Sequence, residues 1–327
     1  MVKITSFLFT SQLQNLALTM NDYGSRRIPF FFVVDFLANN CQIIPLADLE
    51  KEGIQVDFSG TNFQRLPISL NKKLIAFAEY KKQFETIKNE ILYGNSYLCN
   101  LTTQTEVNTK HSLETIYQCA KAKYKILYKN KWLCFSPETF VKIDYRGISS
   151  NPMKGTIDAN LANAEQVLLN DPKEIAEHYT IVDLIRNDLS RVAQNVTVQK
   201  FRYVSKIETA KGNLLQTSSK IVGELPSDYH KHLGDIIGPL LPAGSISGAP
   251  KKKTIEIINQ TESYNRGFYT GVAGVYDGEK VDSCVLIRFL EKTSSGLVYK
   301  SGGGITKYSE AKKEYEEVKQ KIYVPTA

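Results

Sequence analysis

The sequence predicts an α+β protein whose sheets are largely antiparallel. Three observations carry that reading: strand-like runs joined by short turns, capped helices scattered between them, and no low-complexity linker dividing the chain. At 327 residues the chain can bury a large core, and 42% apolar with 23% charged residues is ordinary for a globular protein.

The elements follow in order. Residues 28–48 read as two strands, IPFFFVVDFLA and CQIIPLA, turning at Asn39-Asn40. Tyr80, Phe84, Ile87 and Ile91 recur at helical spacing, and Gly94-Asn95 closes that helix. SYLCNLTTQTEV alternates as a strand, a helix is expected near 112–123, and WLCFS, TFVKIDY and GISSNP read as strands leading to a turn at Lys154. DPKEIAEHYTIVDLIRNDLSRV is the clearest helix, with Asp171 as N-cap, Pro172 at the first helical position and Glu174 two further on. Strands at 196–207 and 213–224, a helix from Ser227, and a helix opened by GPLLPAGSISGAP with Pro250 at its first helical position come next. GFYTGVAGVYDGEKVDSCVLIRFLE reads as a hairpin turning at Asp277-Gly278. A strand to Ser301, a glycine run at 302–304 and a final helix from Ser309 complete the chain. Residues 1–75 form a short N-terminal part and 76–327 the catalytic region, expected to be one continuous domain.

Composition excludes several classes. The net charge of +7 is spread along the chain, with KKK at 251–253 the only compact run, so nucleic-acid binding has little support. Five cysteines, none in a CxxC spacing, argue against a zinc ribbon or disulfide framework and for a reducing compartment. Without a signal peptide or membrane-length apolar run, a cytoplasmic location and no membrane contact are expected.

The chemistry-bearing residues are few. Glu174 with Glu177, and Glu314 with Glu317, pair carboxylates one helical turn apart, and two facing pairs would suit a hard cation such as Mg2+. GSISGAPKKK reads as an anion site at a helix start, and SGGGIT as a run of accessible N–H groups. Each such motif alone is more often a solvated helix face or a glycine-rich turn. Glu138, fixed by Pro137, is a candidate general acid. Arg288, inside an apolar strand, requires a carboxylate partner from protein or substrate. The four histidines form no metal-ligand spacing, and His230 and His232 read as surface residues.

Taken in register, SPETF, PMKGT, KEIAEHYTIVDLIRNDLSRV, GSISGAPK, IRFL, GGGI and EYEEVKQK resemble the chorismate-utilising enzymes over about residues 75–325. The resemblance is nearest to the aminodeoxychorismate synthases. It implies a four-layer α/β/β/α sandwich of two sheets between helices, with chorismate bound in a cleft. It implies direct Mg2+ ligation by Glu177 and Glu317, with Glu174 and Glu314 as outer partners. Arg288, the N–H groups of Gly303 and Gly304, and Lys321 match positions that bind substrate carboxylates; Thr156, Ser247 and Gly248 lie in substrate-binding motifs. Glu138 matches the acid that protonates the departing C4 hydroxyl, and Lys154 the lysine taken as a nucleophile at C2. That amine must be neutral to attack.

The reaction so implied converts chorismate and ammonia to 4-amino-4-deoxychorismate for para-aminobenzoate and folate synthesis. Leu98 stands where isochorismate and salicylate synthases carry a water-activating lysine, and Leu215 where many relatives carry a histidine. Nothing resembles a glutaminase, so a separate glutamine amidotransferase subunit is the implied partner. No Leu-Leu-Glu-Ser segment is found, so feedback inhibition by tryptophan is not expected. The competing readings are anthranilate synthase component I and, outside enzymes, a nucleotide- or RNA-binding module.

Overall fold

The computed structural model describes residues 10–61, 63–209 and 212–326. The chain runs α1 (Ser11–Ser25), β1 (Phe30–Val34), β2 (Cys41–Pro45), β3 (Ile54–Asp57), β4 (Asn71–Lys73), α2 (Phe77–Leu92), β5 (Leu98–Asn108) and α3 (Leu113–Cys119). It continues through β6 (Tyr124–Tyr128), β7 (Trp132–Ser136), β8 (Thr139–Asp144), β9 (Gly147–Ser150), β10 (Met153–Asp158), α4 (Ala164–Asn170), α5 (Pro172–Leu189), β11 (Gln194–Thr209) and β12 (Gly212–Glu224). Then come α6 (Leu233–Ile237), α7 (Gly244–Ser247), β13 (Gly248–Ala249), α8 (Lys251–Thr261), β14 (Val272–Tyr276), β15 (Val281–Val285), β16 (Phe289–Thr293), β17 (Gly296–Ile305) and α9 (Ala311–Gln320).

Among the described residues the strands form two antiparallel sheets. One has nine strands, in the order β10-β12-β9-β8-β15-β14-β1-β2 with β11 on β12; the other has eight, β13-β5-β17-β16-β7-β6-β3 with β4 on β5. Strand β1 shows how the layers arise. All five residues of FFFVV are buried, and side chains alternate between faces. Phe31 and Val33 meet Tyr124, Ile126, Trp132 and Cys134 of the other sheet, whereas Phe30, Phe32 and Val34 join Leu13, Leu16 and Met20 of α1. A third cluster packs α3 against the far face of the second sheet, through Leu113 and Ile116 on Leu127, Leu133 and Phe135. The result is the expected helix–sheet–sheet–helix sandwich. Burying each such aromatic is worth roughly 1.5–3 kcal/mol. No helix among the described residues is long and apolar enough to cross a membrane.

Three local departures from the sequence reading position the site. The chain changes sheets between β15 and β16, so Arg288 sits in a crossover, at φ 54°, and not inside a continuous strand. Gly302, Gly303 and Gly304 belong to β17 and pair with Thr102, Leu101 and Asn100 of β5. Their flanking edge lies beyond Phe289↔Lys300, the last pair between β17 and β16. Lys154 lies in β10, not on a turn. Elsewhere, α1, β3, β4 and β6 were not anticipated, the helix expected from Ser227 starts at Leu233 after a 3-10 turn at Tyr229, and Pro250 is the N-cap of α8. His230 is buried, against expectation, with Nδ1 2.8 Å from Tyr276 Oη; His232 is exposed.

Candidate active site

The register of β10 against β12 shifts between Lys154 and Thr156, where Gly155 adopts φ 75°. A bulge of this kind re-aims the neighbouring side chain. Glycine is needed here for space as well, because a Cβ at 155 would lie 2.8 Å from Glu174 Oε2. The Lys154 carbonyl accepts a hydrogen bond from Thr217, and its Nζ donates to Glu177 Oε2 at 3.1 Å. Burial pulls the Lys154 pKa down, but the charge of Glu177, with smaller contributions from Glu317 and Glu174, outweighs it and the pKa is raised. The raised pKa favours the ammonium form in this arrangement, whereas the neutral form is the one required for attack on substrate.

Helix α5 supplies Glu174 and Glu177 because Asp171 caps it, accepting the Glu174 N–H at 3.0 Å. The Glu174 carboxylate turns to Gly155. Next to Glu177, the buried His178 places Nε2 2.7 Å from Ser219 Oγ, which also accepts the Arg202 N–H.

Helix α9 and β17 form the facing wall. A Cβ at Gly304 would sit 3.0 Å from Leu98 Cδ1 and 3.5 Å from Lys154 Nζ; one at Gly303 would sit 3.6 Å from Glu314 Oε2 and 3.8 Å from both Glu317 Oε1 and Lys321 Nζ. The glycines thus let the strand lie against five site side chains. Lys321 Nζ contacts Glu317 Oε1 at 2.6 Å and donates to the Gly302 carbonyl at 2.8 Å. Burial lowers the Lys321 pKa, with Glu317 opposing.

Glu138 lies between β7 and β8. Burial raises its pKa, the direction a proton donor requires; a hydrogen bond from Ser245 Oγ to Oε1, and more weakly the charges of Lys154 and Lys321, oppose the rise. Ser245 was missed by the sequence reading, although the small-residue run GSISGAP was the signal for it. Arg288 donates to the Lys321 carbonyl at 3.3 Å and lies 5.2 Å from the Tyr323 ring centroid. Among the described residues it makes no ion pair with a protein carboxylate, so of the two partners expected for it the substrate carboxylate is the one still open.

Several candidates lie apart. Ser247 is buried and donates to the Ala243 carbonyl at 3.0 Å, so its hydroxyl is spent on the backbone. Gly248 is required by packing: a Cβ there would meet the Leu98 carbonyl at 1.9 Å. Thr156 is exposed, opposite Gln216. Leu215 pairs with Ile157, whereas Thr217 stands opposite Lys154. Of the KKK run, Lys251 is buried in an ion pair with Asp188 at 2.7 Å and is no part of an anion-binding surface.

The four carboxylates fit a divalent cation by donor type, all being hard oxygens. Among the described residues no three acidic, histidine or cysteine side chains are already grouped as a metal site. Instead Glu177 holds Lys154 and Glu317 holds Lys321. Glu314 Oε2 and Glu317 Oε1 both lie within 4 Å of the Cβ direction of Gly303, so the two α9 carboxylates face the same stretch of β17.

Residues 38–327 match the family described as chorismate binding enzyme. The chain belongs to that family. It is 48% identical over 312 residues to an uncharacterised PabA-like protein of Pasteurella multocida, covering 93% of this chain and 96% of that one. It is 32% identical over 260 residues to aminodeoxychorismate synthase component 1 of Klebsiella aerogenes, covering 75% of this chain but 56% of that protein. The crystal structure of anthranilate synthase component I from Streptococcus pneumoniae superposes with a TM-score of 0.64 at 25% identity, over 80% of this chain and 60% of that one. The chorismate-binding family thus accounts for the fold and for an enzyme acting on chorismate.

Proposed function

We propose that this chain is an aminodeoxychorismate synthase component I, which replaces the C4 hydroxyl of chorismate with an amino group. The observation that carries the reading is Lys154, whose amine reaches Glu177 and the Gly304 face of β17 while Glu138 provides a carboxyl of raised pKa. Arg288, Lys321 and the uncovered edge of Gly303 and Gly304 supply positive charge and N–H groups for the substrate carboxylates. Glu177 and Glu317, with Glu174 and Glu314 behind them, would hold Mg2+. An ion held there would supply positive charge for a substrate carboxylate, and Glu177 engaged with it would hold the Lys154 proton less firmly.

The steps assigned to the protein balance. Neutral Lys154 bonds to C2, the two conjugated ring double bonds shift together to C1=C6 and C4=C5, and the C4–O bond breaks as Glu138 gives its proton to the leaving oxygen, releasing water. Ammonia then bonds to C4, both double bonds shift back, and the C2–N bond breaks with its electron pair returning to the Lys154 amine. A proton from the new ammonium returns to Glu138. A separate amidotransferase subunit would deliver the ammonia from glutamine, in the cytoplasm, for folate synthesis.

Incubating the purified chain with chorismate, Mg2+ and ammonium, and identifying the product by chromatography and mass, tests the reading. 4-Amino-4-deoxychorismate is expected. Anthranilate would replace the reading with anthranilate synthase component I, and unchanged chorismate would remove both.

A further inference from the structure

Tyr80 lies on the buried face of α2, and its side chain is wholly inaccessible. Its ring centroid is 5.3 Å from that of Tyr315, the residue between Glu314 and Glu316 on α9, and 6.4 Å from that of Phe84. Tyr315 uses its hydroxyl on the Ile75 carbonyl at 2.6 Å. The Tyr80 hydroxyl, by contrast, meets no hydrogen-bond partner among the described residues. A buried phenol without a partner is a cost that phenylalanine would avoid with the same ring packing. After burial itself, the charges that act on this hydroxyl are those of Glu314 and Glu317.

We propose that Tyr80 is a positioning residue for the cation site, its O–H donating to the Glu314 carboxylate when a divalent ion is bound. This rests on the metal reading of Glu177 and Glu317. Carboxylates that serve a metal are commonly fixed by a hydrogen bond to an oxygen not engaged with the ion, and losing that bond typically weakens metal affinity about 10–100-fold. In this structure the hydroxyl has no hydrogen-bond partner among the described residues, and the ring contact with Tyr315 holds it beside α9.

Calorimetric titration of Mg2+ into the substrate-free protein tests the inference, comparing wild type, Tyr80→Phe and Glu317→Gln. Tyr80→Phe is expected to weaken Mg2+ binding by about tenfold or more, while its melting temperature stays equal to or above that of wild type. Unchanged Mg2+ affinity in Tyr80→Phe beside a large loss in Glu317→Gln would overturn the role of Tyr80 and leave the metal reading standing. No Mg2+ binding by wild type, or equal binding in all three proteins, would overturn both.

Discussion

Lys154 Nζ donates to Glu177 Oε2 at 3.1 Å, so the amine read as a nucleophile is held as an ammonium by a carboxylate read as a metal ligand. The two roles are linked through one contact. While Glu177 is committed to Lys154 the amine cannot attack, and once Glu177 serves a cation its hold on the ammonium weakens.

The nucleophile itself is open to direct test. With chorismate and Mg2+ but no ammonia, wild type is expected to gain an adduct mass that peptide mapping assigns to residues 151–158. Lys154→Ala should form none and lose activity by orders of magnitude. Lys154→Arg keeps the charge yet cannot offer a neutral amine, so it should be equally inactive. An active Arg variant, with no adduct in wild type, would show that Lys154 acts only as a positive charge.

Glu138 sets the alkaline side of the pH profile. As an acid it works only while protonated, so kcat/KM is expected to fall as pH rises through its raised pKa. The Ser245 hydrogen bond favours the ionised form. Ser245→Ala should therefore move the falling limb to higher pH, by roughly half to one pH unit. Glu138→Gln should lose about 10²–10⁴-fold in rate below that limb, the deficit shrinking as wild type falls with rising pH. The sign for stability agrees: a carboxyl whose folded pKa is raised favours the fold below the ordinary carboxylate range and loses that contribution as pH rises through the folded value. A limb that moves to lower pH in Ser245→Ala, or does not move, would remove Glu138 as the acid.

The sequence made the strands and helices around the site legible where a local rule governs them. Asp171 and Pro172 announce α5, and the spacing of Tyr80, Phe84, Ile87 and Ile91 announces the buried face of α2. Rules that depend on partners far along the chain were not legible. Arg288 looks like a strand residue because its neighbours are apolar, but those neighbours serve two different sheets. Gly302–Gly304 look like a loop, yet they lie in a strand, where a Cβ would crowd Leu101 and Thr102 at Gly302 and Leu98 at Gly304. Family resemblance named most of the residues gathered here, but not their charge state. Lys321 meets Glu317 one helical turn away, a contact that spacing alone allows, whereas Lys154 meets Glu177 across 23 positions and two elements, which only the fold brings together.

Lys251 illustrates a residue whose role reversed. Its side chain is 3% exposed and that of Asp188 10%, with 2.7 Å between Nζ and Oδ2; Nζ also donates to the Leu240 carbonyl. Lys251→Met would leave Asp188 buried beside a Gly244 that has no room for a Cβ. Denaturant unfolding should show a loss of about 3–5 kcal/mol, with much of it recovered in Lys251→Met/Asp188→Leu. Lys252→Ala, on the exposed side, should stay within about 0.5 kcal/mol of wild type. A Lys251→Met protein as stable as wild type would mean the pair adds nothing to the fold.

Glu317 offers the sharpest separation of metal binding from folding. It is half exposed and pairs with Lys321, so replacing it by glutamine removes one charge from a site that solvent already reaches. The melting temperature should change little, as expected of an ion pair at this exposure. Turnover should fall by orders of magnitude and Mg2+ affinity should drop, because a neutral amide is a much weaker ligand for a hard cation. Glu177→Gln should show the same loss of metal together with a second effect that Glu317→Gln shares only weakly. Lys154 loses the carboxylate hydrogen-bonded to it, so its pKa should fall toward the value that burial alone would set. Reductive methylation or acylation rates at Lys154, read by peptide mass across pH, would register that fall as faster labelling at a given pH in Glu177→Gln than in Glu317→Gln. Equal labelling in the two variants would mean that Glu177 does not control the protonation of Lys154, and the 3.1 Å contact would then be a matter of packing alone.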